Sequence, residues 1–216
     1  MANAELFDIM YSMRAMRRLK PDPIPEATLK KIVEAGIHAP SGGNLQDWAF
    51  IIVRDAEGKR FIRDHYFGIW QKIASGRAMP TNIPPAQMRM YQAAAHLADH
   101  LHEVPVILLA CARKDYPAFK NAGYDRASVA TVHGSIYPAV QNIMLACRAL
   151  GVGTVITTIH CCFEEELKQK LGIPAEMEVS ALLPLGFPQG NFGPTKRQPV
   201  ETVIHWDRWG KKSQGR

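Results

Sequence analysis

The residues best suited to chemistry fall in three widely separated stretches. The first is Arg14-Ala-Met-Arg17-Arg18. In helical geometry Arg14 and Arg17 lie three apart and share a face, so two guanidinium groups could grip one phosphate. Arginine suits that task because its planar fork bonds two oxygens at once and keeps its charge at neutral pH. A solvated basic helix end, favoured by the helix dipole, explains the same residues equally well. The second stretch is Ala39-Pro40-Ser41-Gly42-Gly43-Asn44-Leu45-Gln46-Asp47-Trp48. Its glycines permit close approach of backbone to a ligand, while Ser41, Asn44 and Gln46 offer short hydrogen-bonding groups. An ordinary helix-to-strand turn would also be rich in these turn formers. The third is Lys196-Arg197-Gln198-Pro199, beyond the Leu183–Pro188 run LPLGFP, and by itself it reads as a solvated basic turn.

The usual signatures of nucleotide, protease and hydrolase chemistry are absent. Gly151-Val-Gly153 follows an apolar helix pattern rather than opening a helix, so it fails the context required of a dinucleotide fingerprint. No GxxxxGK[ST], HExxH or GxSxG occurs. The cysteines at 111, 147, 161 and 162 include no C-x-x-C, so neither a metal site nor a disulfide framework is expected. Cys111 and Cys147 lie in apolar patterns and read as buried reduced thiols.

The elements that must position these stretches are legible from periodicity. Leu6, Ile9, Met10 and Met13 recur at helical spacing from about Ala4 to Met16, before a break at Pro21-Asp22-Pro23. A second helix follows Pro25, with Leu29, Ile32, Val33, Gly36 and Ile37 on one face, and stops at Pro40. Trp48–Val53 and Val106–Ala112 read as buried strands. Residues 57–103 are irregularly helical, broken at Met79-Pro80 and Pro84-Pro85, and a long helix spans about Ala127–Leu150. A strand is expected at Thr154–Thr158, a short helix at 163–171 and a strand at Glu178–Leu183. A loop follows from Pro184 to Pro194, then an extended segment from Val200 to Trp206. This order predicts an α+β fold: a mixed central sheet flanked by helices on both faces.

Composition is that of a folded protein, with 47% hydrophobic and 21% charged residues among 216. The net charge of +6 falls to +2 for residues 1–207, because Arg208, Lys211, Lys212 and Arg216 lie in the last nine, which hold no acid. One domain over 1–207 with a disordered basic tail at 208–216 is therefore expected, and no nucleic-acid partner. The opening residues lack a signal-peptide profile, and the longest apolar run, Val104–Ala112, is well short of the ~20 residues a membrane helix needs. A cytoplasmic protein without membrane association is expected.

Taken together, the ordered blocks RAMRRLKPDPIP, APSGGNLQDW, QNIMLACRALGVGT, LPLGFP and KRQP resemble the nitroreductase family of flavoproteins over nearly the whole chain. The resemblance implies FMN, with its phosphate held by Arg14, Arg17, Arg197 and Lys196, and with Arg18 able to share. It implies contacts to the ribityl chain and ring from Pro40, Ser41, Gly42, Asn44 and Gln46. It places backbone amides of Thr157 and Thr158 near flavin N5, with Pro184, Leu185 and Gly186 nearby. The family's Arg-Arg-Ser-x-Arg run reads Met13-Arg14-Ala15-Met16-Arg17 here, so one arginine and one serine hydroxyl are missing. The resemblance further implies a homodimer built through residues 66–103 and the segment after Pro199. That region shows no acid–aromatic–basic lid signature; Tyr66 and Tyr91 within it, and His65 just before it, are candidate substrate contacts. The Met79–Met90 stretch would cover the partner or roof the pocket, although simple core packing accounts for it equally well.

The activity implied is ping-pong transfer of a hydride from NAD(P)H through the flavin to an electron-poor small molecule such as a nitroaromatic or quinone. No side chain need act as acid or base, because the cofactor carries the redox chemistry. The alternatives are a specialised enzyme of the same fold, a reductive dehalogenase or flavin-modifying enzyme, and a low-turnover flavin-binding sensor.

Overall fold

The computed structural model describes residues 5–76 and 83–212. Met79-Pro80 and the first part of the methionine-rich stretch lie outside the described residues, as do 213–216 of the basic tail. Helices α1 (Leu6–Ser12) and α2 (Glu26–Ile37) precede strand β1 (Trp48–Val53). Then come α3 (Ala56–Ser75), α4 (Pro85–His100), β2 (Val106–Arg113), α5 (Pro117–Asn121) and α6 (Asp125–Ala149). Strand β3 (Gly153–Thr154), helix α7 (Glu164–Leu171) and strand β4 (Met177–Gly186) complete the order.

The four strands form one sheet in the order β1-β2-β4-β3. The α+β class is as expected, but all the pairings between these strands are antiparallel, where a mixed sheet was expected. Side chains alternate across a strand, and β2 divides two apolar layers accordingly. Ile107, Leu109 and Cys111 face α3, α4 and α7, while Val106, Leu108, Ala110 and Ala112 face α2 and α6. In β4 the register slips opposite Ala110/Cys111, because Ser180 is an extra residue with no partner in β2. That bulge lets Val179 join Leu182 in the first layer while Ala181, Leu183 and Leu185 stay in the second. α2 can lie close on α6 because Gly36 has no side chain: a Cβ there would meet Ile143 at 2.7 Å.

Four local expectations are corrected. Helix α1 ends at Ser12, and Met13 is already extended (φ −70°, ψ 116°), so Arg14 and Arg17 do not share a helical face. The strand expected over Thr154–Thr158 shrinks to Gly153–Thr154, with one further bridge from Thr157 to Leu182. β4 runs on to Gly186 rather than giving way to loop at Pro184. Pro184 is tolerated there because it falls between the Thr154–Leu185 and Thr157–Leu182 pairings, where no β3 neighbour needs its missing N–H. The segment expected to be extended after Val200 contains a 3-10 turn, Val200–Thr202. Residues 208–212 of the basic stretch fold back on it, with Lys212 Nζ donating to the carbonyls of Glu201, Thr202 and Ile204.

Candidate functional site

The arginine-bearing segment 13–20 is extended and clamped along the β3–β4 end of the sheet. Met16 N–H donates to the Thr154 carbonyl (2.9 Å), Lys20 N–H to Phe187 (2.7 Å) and Gln189 N–H to Arg18 (3.0 Å). Glycines make room for it. A Cβ on Gly153 would meet Leu19 at 2.8 Å and Met16 at 3.0 Å, and one on Gly186 would meet Leu19 at 2.9 Å. The GVGT turn and the glycine of LPLG therefore seat the arginines. Pro184, Leu185 and Gly186 are buried in the sheet and do not line the cleft that the two chain ends form.

The chain's other end is tied to the same place. Thr195 donates through both its backbone N–H (2.9 Å) and its Oγ1 (3.1 Å) to the Tyr11 carbonyl. Arg148 bonds Ser12 Oγ (2.9 Å) and lies over the Phe192 ring, 4.4 Å from its centre. The result is a cleft of ≈ 660 Å³ whose charged lining is Arg14, Arg17, Arg89, Lys196 and Arg197, with no acidic residue. Among the described residues these five cations face no acid in the lining, so their mutual repulsion would be relieved by an anion. Arg17 is half-buried, and desolvation lowers its pKa, against a smaller opposing effect of Tyr66. Arg18 does not line the cleft; it is exposed, on the side of His96, whose pKa is lowered by desolvation first, then by His100 and Arg18.

The Ser-Gly-Gly-Asn block lies elsewhere. Gly42 N–H donates to Ser135 Oγ of α6 (3.0 Å), and Ser41 Oγ accepts from Gln46 N–H (3.2 Å). Two of its residues have positive φ, Gly43 (55°) and Asn44 (54°), as does Gln46 (54°) just beyond it. Asparagine accepts this region readily, but glutamine rarely does, and such outliers cluster where a loop must present groups to a ligand. Ser41, Gly42 and Gln46 line a small cavity with Trp48, Tyr116, Thr131 and Ser135, and it shares no residue with the cationic cleft. Pro40 and Asn44 are exposed beside it.

The remaining candidates separate clearly. Thr157 N–H is committed to the Leu182 carbonyl (3.0 Å), and its Oγ1 pairs with Tyr66 hydroxyl at 2.9 Å. Thr158 is exposed. Tyr66 is only 4% exposed and packs in the core, outside the lining of the cationic cleft; desolvation is the main cause of its raised pKa. Tyr91 stands on α4 outside the cleft lining, its hydroxyl accepting from Gln87 (3.1 Å). Sequence reasoning missed Arg89. The signal was its place in an Ala86, Arg89, Met90, Ala93 stripe, which is one face of a helix.

Among the described residues no group of three or more His, Cys, Asp or Glu is placed to hold a metal. No described helix is long and apolar enough to cross a membrane.

The nitroreductase family model matches residues 11–187, which takes in the first arginines, the Ser-Gly-Gly-Asn loop and the whole sheet. The chain belongs to the nitroreductase family. It is 31% identical over 199 residues to an NADH dehydrogenase of Thermus thermophilus, covering 89% of this chain and 91% of that one. It is 25% identical over 215 residues to iodotyrosine deiodinase 1 of Rattus norvegicus, covering 94% of this chain and 70% of that one. Its fold matches a crystal structure of oxidized iodotyrosine deiodinase bound to FMN and 3-iodo-L-tyrosine. The TM-score is 0.73 at 23% identity, covering 95% of this chain and 100% of that one.

Proposed function

We propose that this chain is an FMN-dependent oxidoreductase that takes its electrons from NAD(P)H. The observation that carries the reading is the acid-free cleft that joins arginines near the start of the chain to Lys196 and Arg197 near its end. A phosphomonoester carries about −2 charge near neutral pH and accepts bidentate guanidinium bonds, so the donor set fits the phosphate of FMN. When bound, FMN would supply ping-pong hydride transfer from NAD(P)H to an electron-poor acceptor such as a nitroaromatic or quinone. The chain's part is to grip the phosphate, hold the segment rigid through Gly153 and Gly186, and keep positive charge near the cofactor.

The same reading calls for a homodimer. The Ser-Gly-Gly-Asn loop and the cationic cleft do not meet within one chain, so a second copy would bring its loop to the first copy's cleft. Apolar surface is available for that contact. Leu6, Phe7, Met10 and Tyr11 of α1 are exposed, as are Val200, Val203 and Trp206, and Trp209 is 91% exposed. We place the enzyme in the cytoplasm.

The visible spectrum of the purified protein tests the cofactor. Flavin bands, with FMN released on denaturation, are expected for the native chain and should vanish in the Arg17→Ala/Arg197→Ala double variant. Yellow double variant with stoichiometric FMN would sink the assignment. NAD(P)H oxidation with and without a nitroaromatic separates an enzyme from a sensor. The likeness to iodotyrosine deiodinase favours one second reading, reductive dehalogenation of a halogenated aromatic, which halide release from iodotyrosine would detect.

A further inference from the structure

We propose that Arg89 of α4 is a cofactor-phosphate ligand that takes the place of the arginine missing at Met13. The proposal rests on the reading of the cleft as the FMN phosphate site. Met13 packs against the apolar layer of α2 and α6, and Ala15 offers the cleft only a methyl group. The wall formed by segment 13–18 therefore contributes two guanidinium groups, Arg14 and Arg17. Across from them, α4 presents Ala86, Arg89, Met90 and Ala93, spaced three, four and seven apart and so on a single face. Two of these are alanines, which keep the wall open, and Arg89 is the charged member.

Arg89 forms no ion pair among the described residues, and no acid lines the cleft to balance it. Four other cations share the lining. A fifth positive charge placed there raises the repulsion of the empty cleft and is offset when a dianion binds. Guanidinium on the α4 wall also ties that helix to both chain ends through one shared ligand. Bound phosphate thus becomes the link that fixes α4 in place.

The test compares FMN with riboflavin, which has the same ring and ribityl chain but no phosphate. Purified apoprotein is titrated with each, and binding is read from quenching of flavin fluorescence. Arg89→Ala should weaken FMN binding about ten-fold, as expected for loss of one charge-assisted bond, and change riboflavin binding less than about two-fold. In hydrogen exchange, FMN but not riboflavin should protect α4 amides, and Arg89→Ala should abolish that difference. The proposal is overturned if Arg89→Ala binds FMN like the native chain, or if it loses FMN and riboflavin equally. Arg17→Ala and Arg197→Ala identify which idea has failed. If they lose FMN selectively while Arg89→Ala does not, the cleft reading stands and the role of Arg89 is refuted. If none of the three affects FMN, the cleft reading itself is wrong and the role of Arg89 falls with it.

Discussion

Gly42 offers a sharp test of how the candidate loop is held. Its φ is not in the left-handed region, so alanine is acceptable to the backbone there, and any cost must come from space. A Cβ at this position would lie 2.4 Å from Thr131 Cγ2 and 3.3 Å from Tyr116 Cε2. Ordinary carbon contacts begin near ~3.5 Å, so the first clash is deep by about 1 Å. Thr131 cannot easily rotate away, because its Oγ1 donates to the Ala127 carbonyl at 2.9 Å. Overpacking of this kind costs about 1–3 kcal/mol, or roughly 2–4 °C of Tm per kcal/mol for a chain of this size. Gly42→Ala should therefore lower Tm by several degrees and push the loop off Ser135. Thr131→Ser removes the offending methyl and keeps the hydroxyl bond to Ala127, so Gly42→Ala/Thr131→Ser should recover most of the loss. Thermal unfolding of the four proteins, with FMN affinity measured in parallel, completes the cycle. A Gly42→Ala protein as stable as the native chain, or a double variant no better than the single, would refute the argument.

Two further outcomes follow from buried titratable groups. Desolvation is the main cause holding His160 below the usual imidazole pKa, opposed by its hydrogen bond to the Val179 carbonyl. The unfolded chain takes up a proton near pH ~6.5 while the fold keeps His160 neutral. Stability is thus intact above that pH and falls as pH drops through it. Urea midpoints between pH 7.5 and 5.5 should fall less for His160→Gln than for the native chain, and an identical fall would count against the assignment. Burial pushes the thiols of Cys111 and Cys147 up to about 12, whereas Cys161 and Cys162 are exposed. A disulfide reagent at pH 8 should count two thiols in the native protein and four in urea, with Cys161 slowed by its own raised pKa; a third fast native thiol would contradict the core packing.

What the sequence by itself determined was whatever depends on local order. Period-3.6 patterns located α2 and α6, because burial of one helix face imposes that period, and short continuous apolar runs located β1 and β2, as expected of buried strands. Residue chemistry also marked Arg14, Arg17, Lys196 and Arg197, which the fold does gather in one cleft. Only the tertiary structure decided how they meet. Arg14 and Arg17 come together through an extended segment docked on Gly153 and Gly186, and a contact between residues so far apart in the chain leaves no local signature. The fold also decided that Tyr66, on the inner face of α3, and the Pro184–Gly186 run of β4 are buried, which their sequence context did not reveal. Arg89 was hidden for the opposite reason. A lone arginine on an amphipathic helix reads as solvated until the fold turns that face toward four other cations, and charge gathered across space is a property of the folded chain alone.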